Sequence, residues 1–116
     1  MNLEKIRDFA LAFPGVEETF PFDNQTLVFK VAGKMFLALD VENTLSINVK
    51  CDPEMAVELR ERYDTILPGY HMSKKHWNTI MLHGRYGEKE ILGWIRDSYE
   101  LVFNSLPQKV KAELSL

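Results

Sequence analysis

Leu45-Ser46-Ile47-Asn48-Val49-Lys50 is the stretch on which the fold turns. Apolar and polar residues alternate along it, so Leu45, Ile47 and Val49 share one face of a strand and Ser46, Asn48 and Lys50 share the other. A strand with one apolar and one wet face belongs to an antiparallel sheet that helices cover on a single side. Directly after it, Asp52-Pro53-Glu54 opens a helix with a capping carboxylate, a proline where no N–H is needed, and an acid in the first turn. Ala56, Leu59 and Tyr63 give that helix its apolar face.

Toward the N-terminus, Thr26–Val31 and residues 34–39 are β-rich runs separated by Ala32-Gly33, which reads as a tight hairpin with Gly33 at positive φ. Residues 17–22 read as extended, and Pro21 marks an edge or a bend. Leu3, Ile6, Phe9, Ala10 and Phe13 recur at helical spacing, so residues 2–13 form an amphipathic helix capped by Asn2 and stopped by Pro14-Gly15. Toward the C-terminus, residues 67–72 and 77–82 form a second hairpin with Ser73-Lys74-Lys75-His76 around its tip. Ile91, Ile95, Ser98, Val102 and Leu106 trace a long helix, and Pro107 restarts a short one. The expectation is an α+β fold ordered α-β-β-β-α-β-β-α, an antiparallel sheet of five or six strands with helices packed on one face.

A length of 116 residues suits one domain, and 46% hydrophobic against 27% charged residues is the balance of a chain that buries its own core. No repeat or linker divides it, so residues 1–116 are read as one unit. The N-terminus lacks the basic-then-apolar order of a signal peptide, and no apolar run is long enough to cross a bilayer. With Cys51 as the single cysteine, nothing marks an oxidising compartment. Cytoplasm is the expected location, and no membrane partner is expected.

The net charge of −3 hides an asymmetry. Residues 65–87 contain no Asp or Glu but hold Lys74, Lys75 and Arg85. The first hairpin also carries lysines at its turn, Lys30 and Lys34. Lysines at hairpin tips contact phosphates, and a neighbouring aromatic stacks on bases or sugars. Their more ordinary role is to keep a sheet edge from pairing with neighbours. His71, His76 and His83 are separated by five and seven residues, which matches no zinc-ligand spacing, and no thiolate or carboxylate joins them locally. No metal, cofactor or catalytic constellation is expected. Cys51 reads as a structural thiol at the end of a half-buried strand.

These residues together resemble the MmcQ/YjbR family. The matching pieces are Phe13-Pro14-Gly15-Val16-Glu17-Glu18, Val28-Phe29-Lys30-Val31 with Gly33-Lys34-Met35-Phe36, and Asp52-Pro53-Glu54 with Leu59-Arg60. The most specific block is Pro68-Gly69-Tyr70-His71-Met72 running into Lys75-His76-Trp77-Asn78-Thr79. The resemblance covers nearly the whole chain. It implies a CyaY-like architecture and a double-wing DNA-binding motif.

Residues and resemblance together set two expectations. In the first, the protein binds nucleic acid, DNA foremost, with Lys30, Lys34, Lys74, Lys75 and Arg85 on phosphates and Tyr70, His76 and Trp77 shaping the surface between them. In the second, Tyr70, His71, His76, Trp77 and Asn78 line a pocket for a small molecule or a protein segment. Lysines converging on one solvated face favour the first, and a concave aromatic pocket favours the second.

Overall fold

The computed structural model describes residues 1–115. Its elements are α1 (Leu3–Leu11), β1 (Val16–Thr19), β2 (Thr26–Val31), β3 (Lys34–Asp40), β4 (Ser46–Lys50), α2 (Pro53–Arg62), β5 (Ile66–Pro68), β6 (Trp77–Met81), α3 (Glu88–Asn104) and α4 (Gln108–Leu114). One six-stranded sheet runs in the order β1-β2-β3-β4-β6-β5, with every neighbouring pair antiparallel. The extended segment ahead of the first hairpin is thus an edge strand, paired with β2.

Register assigns the faces. Leu27 and Leu39, Phe29 and Leu37, Leu37 and Val49, and Ile47 and Ile80 stand opposite one another. All are buried, and with Ile6, Ala10, Ile91, Ile95, Tyr99 and Val102 from the helices they form the core. α3 lies across β3 and β4, α1 packs against β1 and α3, and α2 packs against β5. The other face of the sheet carries Thr26, Ala38, Asp40, Ser46, Asn48, Thr79 and Met81.

Ser98 shows how helix and sheet are joined. Pairing of β2 with β3 shifts between Phe29 and Lys30, so β3 carries one extra residue there. The buried Ser98 hydroxyl accepts the Lys50 N–H at 2.8 Å and donates to the Phe36 carbonyl at 2.5 Å. It therefore satisfies one backbone group on β3 and one on β4. Ser98→Ala should destabilise the fold by about 1–3 kcal/mol, because two buried backbone groups lose their partner. Urea denaturation checks this, and an unchanged midpoint would show that the strands close on each other without the hydroxyl.

Element boundaries differ from the sequence reading, three of them with a clear local cause. The first helix spans Leu3–Leu11 rather than residues 2–13, with Asn2 as its cap, accepting from the Lys5 N–H at 2.9 Å. Leu45 is outside β4 and 55% exposed, because Asp40 holds the preceding turn by accepting the Glu42 and Asn43 N–H groups. The second hairpin has a short first strand, Ile66–Pro68 rather than residues 67–72. The Tyr70 N–H turns aside to the Thr79 hydroxyl at 3.0 Å, and His71 adopts φ +58°, a left-handed conformation no strand contains. In the first hairpin both turn residues are left-handed, Ala32 at +50° and Gly33 at +78°. A two-residue turn of that hand matches the twist of its strands.

Candidate nucleic-acid interface

The antiparallel pairings fix the strand directions. β2, β4 and β5 run one way, and β1, β3 and β6 run the other. The turn at Ala32-Gly33, the end of β4 at Lys50 and the loop of residues 69–76 therefore leave the sheet at the same end. Lys30, Lys34, Lys74 and Lys75 are brought to that end together. Lys50 joins them, a residue the sequence reading left out of the interface although its alternation already placed it on the wet face. Among the described residues the ion pairs are Lys5–Glu88, Arg7–Glu18 and Arg62–Glu58, and none of them engages these five lysines. Glu17 stands opposite Lys30 in the register and Glu54 borders a groove with Lys75, so acids flank the patch without pairing into it.

Arg85 does not join the group. It follows β6 at the opposite end of the sheet, beside Glu61, Arg62 and Asp64. An acid-free run in the sequence put it with Lys74 and Lys75, but the strand between them carries it the length of the sheet away.

The loop of residues 69–76 is held from behind by Arg60. Its Nε donates to Asn78 Oδ1 at 2.6 Å, and its guanidinium also donates to the carbonyls of Lys74 and Trp77. Asn78 is fully buried and donates to the Ala56 carbonyl of α2 at 3.4 Å. Trp77 is buried at 8% exposure, so it supports the surface from below instead of presenting a ring to stack on. Gly69 is required beneath it, since a Cβ there would stand 2.6 Å from the Trp77 Cβ.

The five residues expected to share a pocket are divided between the two faces of the sheet. Tyr70 and His71 line a cleft of about 610 Å³ on the face without helices. Asn78 faces the helices, where it lines a second cavity of about 270 Å³ between α2 and α3. His76 lies at the base of the loop, its carbonyl accepting the Cys51 N–H at 2.7 Å. His83 lies beyond β6 at the far end, so the three histidines do not converge, and no cluster of three or more His, Cys, Asp or Glu suited to a metal occurs among the described residues.

Cys51 borders the α2–α3 cavity. Burial, reinforced by the carboxylates of Asp52 and Asp97, pushes its thiol up to about 11. Cys51 should therefore react slowly with iodoacetamide near neutral pH, with a rate climbing toward pH 11. An alkylation midpoint at the ordinary thiol value would contradict this. The sign for stability follows: the unfolded thiol ionises first, so this contribution is present below pH 9 and lost as pH rises through 11.

A single antiparallel sheet with helices on one face and a cleft on the other defines a small α+β domain whose open sheet face is its distinctive surface. Residues 11–101 match the YjbR family model, and the chain belongs to the YjbR family. It is 36% identical over 107 residues to uncharacterized protein YbdF of Escherichia coli O157:H7, covering 91% of this chain and 88% of that one. To uncharacterized protein YjbR of Escherichia coli K12 it is 29% identical over 110 residues, covering 94% and 93%. Among solved structures it is similar to Deinococcus radiodurans protein DR2400, with a TM-score of 0.93, 36% identity, and coverage of 99% of this chain and 88% of that one. A Pseudomonas syringae protein is similar at a TM-score of 0.74 and 29% identity, covering 88% and 99%. No helix is long and apolar enough to cross a membrane among the described residues.

Proposed function

We propose that the protein is a cytoplasmic nucleic-acid-binding protein, with DNA as the foremost ligand, and that its two basic hairpins act as paired wings on the phosphate backbone. The observation that carries the proposal is the common exit of both hairpin tips at one end of the sheet, with Lys50 between them. Five lysines without ion-pair partners at one end make a local anion-binding surface on a chain whose net charge is −3. Lysine serves here as a point charge for phosphates, and Arg60, the helix arginine that reaches this end, is engaged by Asn78 and the loop carbonyls, so the contacts carry no base sequence. A panel of duplex DNA, single-stranded DNA and RNA, each at low and physiological salt, tests the proposal. Binding to at least one of them that weakens with salt is the expected result, and absence of binding to all of them at low salt would overturn it.

A further inference from the structure

We infer that the cleft on the open face of the sheet receives an unpaired nucleobase, its phosphates lying toward the lysine end; this inference rests on the nucleic-acid reading above and narrows it to single-stranded substrate. The floor of the cleft is polar and ordered. The Tyr70 N–H donates to Thr79 Oγ1 at 3.0 Å, and the Thr79 hydroxyl donates to Asn48 Oδ1 at 2.6 Å. With its oxygen on Thr79, the Asn48 amide turns its NH₂ away as a donor on the floor of the cleft. Ser46 lies two residues along the same face and adds a hydroxyl. An amide and a hydroxyl side by side suit the carbonyl and ring-nitrogen edge of a base, which a duplex keeps paired.

The mouth of the cleft supplies a stacking surface. Tyr70 is 69% exposed, and its ring lies 4.0 Å from that of His71. An exposed aromatic is normally mobile, but this one sits on a loop held by Arg60 from α2 and by Thr79 from the floor. His71 takes a left-handed backbone at φ +58°, which turns the chain directly after Tyr70. The loop thus presents Tyr70 at a set position over the cleft.

Charge along the cleft has one polarity. Lys30 and Lys50 stand on this face at the lysine end, with Glu17 opposite Lys30, while Asp40, at the end of β3, lines the cleft at the other end of the sheet. A nucleotide is complementary to that gradient in one orientation only, with phosphate toward the lysines. The volume of about 610 Å³ is within the range of small-ligand sites and accommodates a flat base with its sugar.

The test is fluorescence anisotropy with one labelled oligonucleotide, single-stranded and as its duplex, on the full chain. Wild type should prefer the single strand. Tyr70→Ala should weaken single-strand binding by about tenfold or more, the usual scale for one stacked base. Tyr70→Phe should restore it, and duplex affinity should not change. Asn48→Ala should act in the same direction, with Tyr70→Ala remaining informative if Asn48→Ala unfolds. A titration with adenosine and thymidine monophosphates, followed by amide shifts at Asn48 and Tyr70, identifies the source of the base. Micromolar saturation by a mononucleotide supports the cleft and assigns it to free nucleotides, and shifts only with the strand support it for polymer. Equal binding of strand and duplex, with Tyr70→Ala neutral, overturns the cleft and leaves the phosphate wings standing. No binding of any nucleic acid or nucleotide overturns both readings together.

Discussion

Replacing Trp77 by alanine should lower the stability of the domain by about 3–5 kcal/mol, the range for removing a large buried aromatic. The loss is a large part of the about 5–15 kcal/mol that holds a domain of this size together. Trp77 opens β6 at the point where the sheet, the loop of residues 69–76 and Arg60 meet. Its N–H donates to the Ser73 carbonyl at 3.0 Å, and its own carbonyl accepts the Gly69 N–H at 2.8 Å. Truncation leaves a cavity under a loop whose backbone is fixed by those bonds, so the site has little freedom to collapse. Gly69→Ala should destabilise through the same place, because its methyl meets Trp77 Cβ rather than a flexible side-chain end. Urea denaturation of both variants gives the answer. A wild-type midpoint for Trp77→Ala would mean that the ring is solvent-facing and free to stack.

Reversing Lys74 and Lys75 to glutamate should remove most nucleic-acid binding, since two phosphate attractions become two repulsions at the loop tip. Both side chains are exposed, and exposed substitutions of this kind change stability by less than about 0.5 kcal/mol, so the variant should fold. The informative control is Arg85→Glu with Lys89→Glu, an equal charge change at the opposite end of the sheet. That pair should bind much as wild type does, because screening confines charge effects to about 8–10 Å at ordinary salt. Equal loss in the two double variants would reduce the effect to net charge and remove any special role for the hairpins.

What the sequence made legible is what periodicity records. The apolar stripe of Leu3, Ile6, Phe9 and Ala10 placed α1, and the alternation around Ile47 and Val49 placed β4 and the helix-covered face. Even Ser98 was visible, as the one polar residue in the stripe of α3. A polar residue in a buried stripe must find a partner, but which strands it bridges depends on a bulge that no pattern announces. The cleft was legible only in Tyr70 and His71. Its lining also includes Asp40, Ser46 and Thr79, residues that only the β3–β4 and β4–β6 pairings and the turn of the loop bring to Tyr70. The same holds for Arg60, which reads as a solvated helix residue until Asn78 is placed beneath it. Asn78 and Tyr70 flank one loop, yet strand alternation turns Asn78 to the helices while the loop turns Tyr70 to the open face. Their separation dissolved the single pocket that the sequence block suggested.

The salt dependence of wild-type affinity for single-stranded and duplex DNA tests the nucleic-acid reading most directly. Each lysine that neutralises a phosphate releases a counterion, so the logarithm of affinity falls linearly with the logarithm of salt. With about three to five of the lysines at the turn end in contact, the slope on duplex should be about −3 to −4.5, and somewhat shallower on a single strand. It should lose about two units of that slope in the Lys74→Glu, Lys75→Glu variant if residual binding is measurable. A slope near zero, or no detectable binding at low salt, would contradict a phosphate-binding role for the two hairpins.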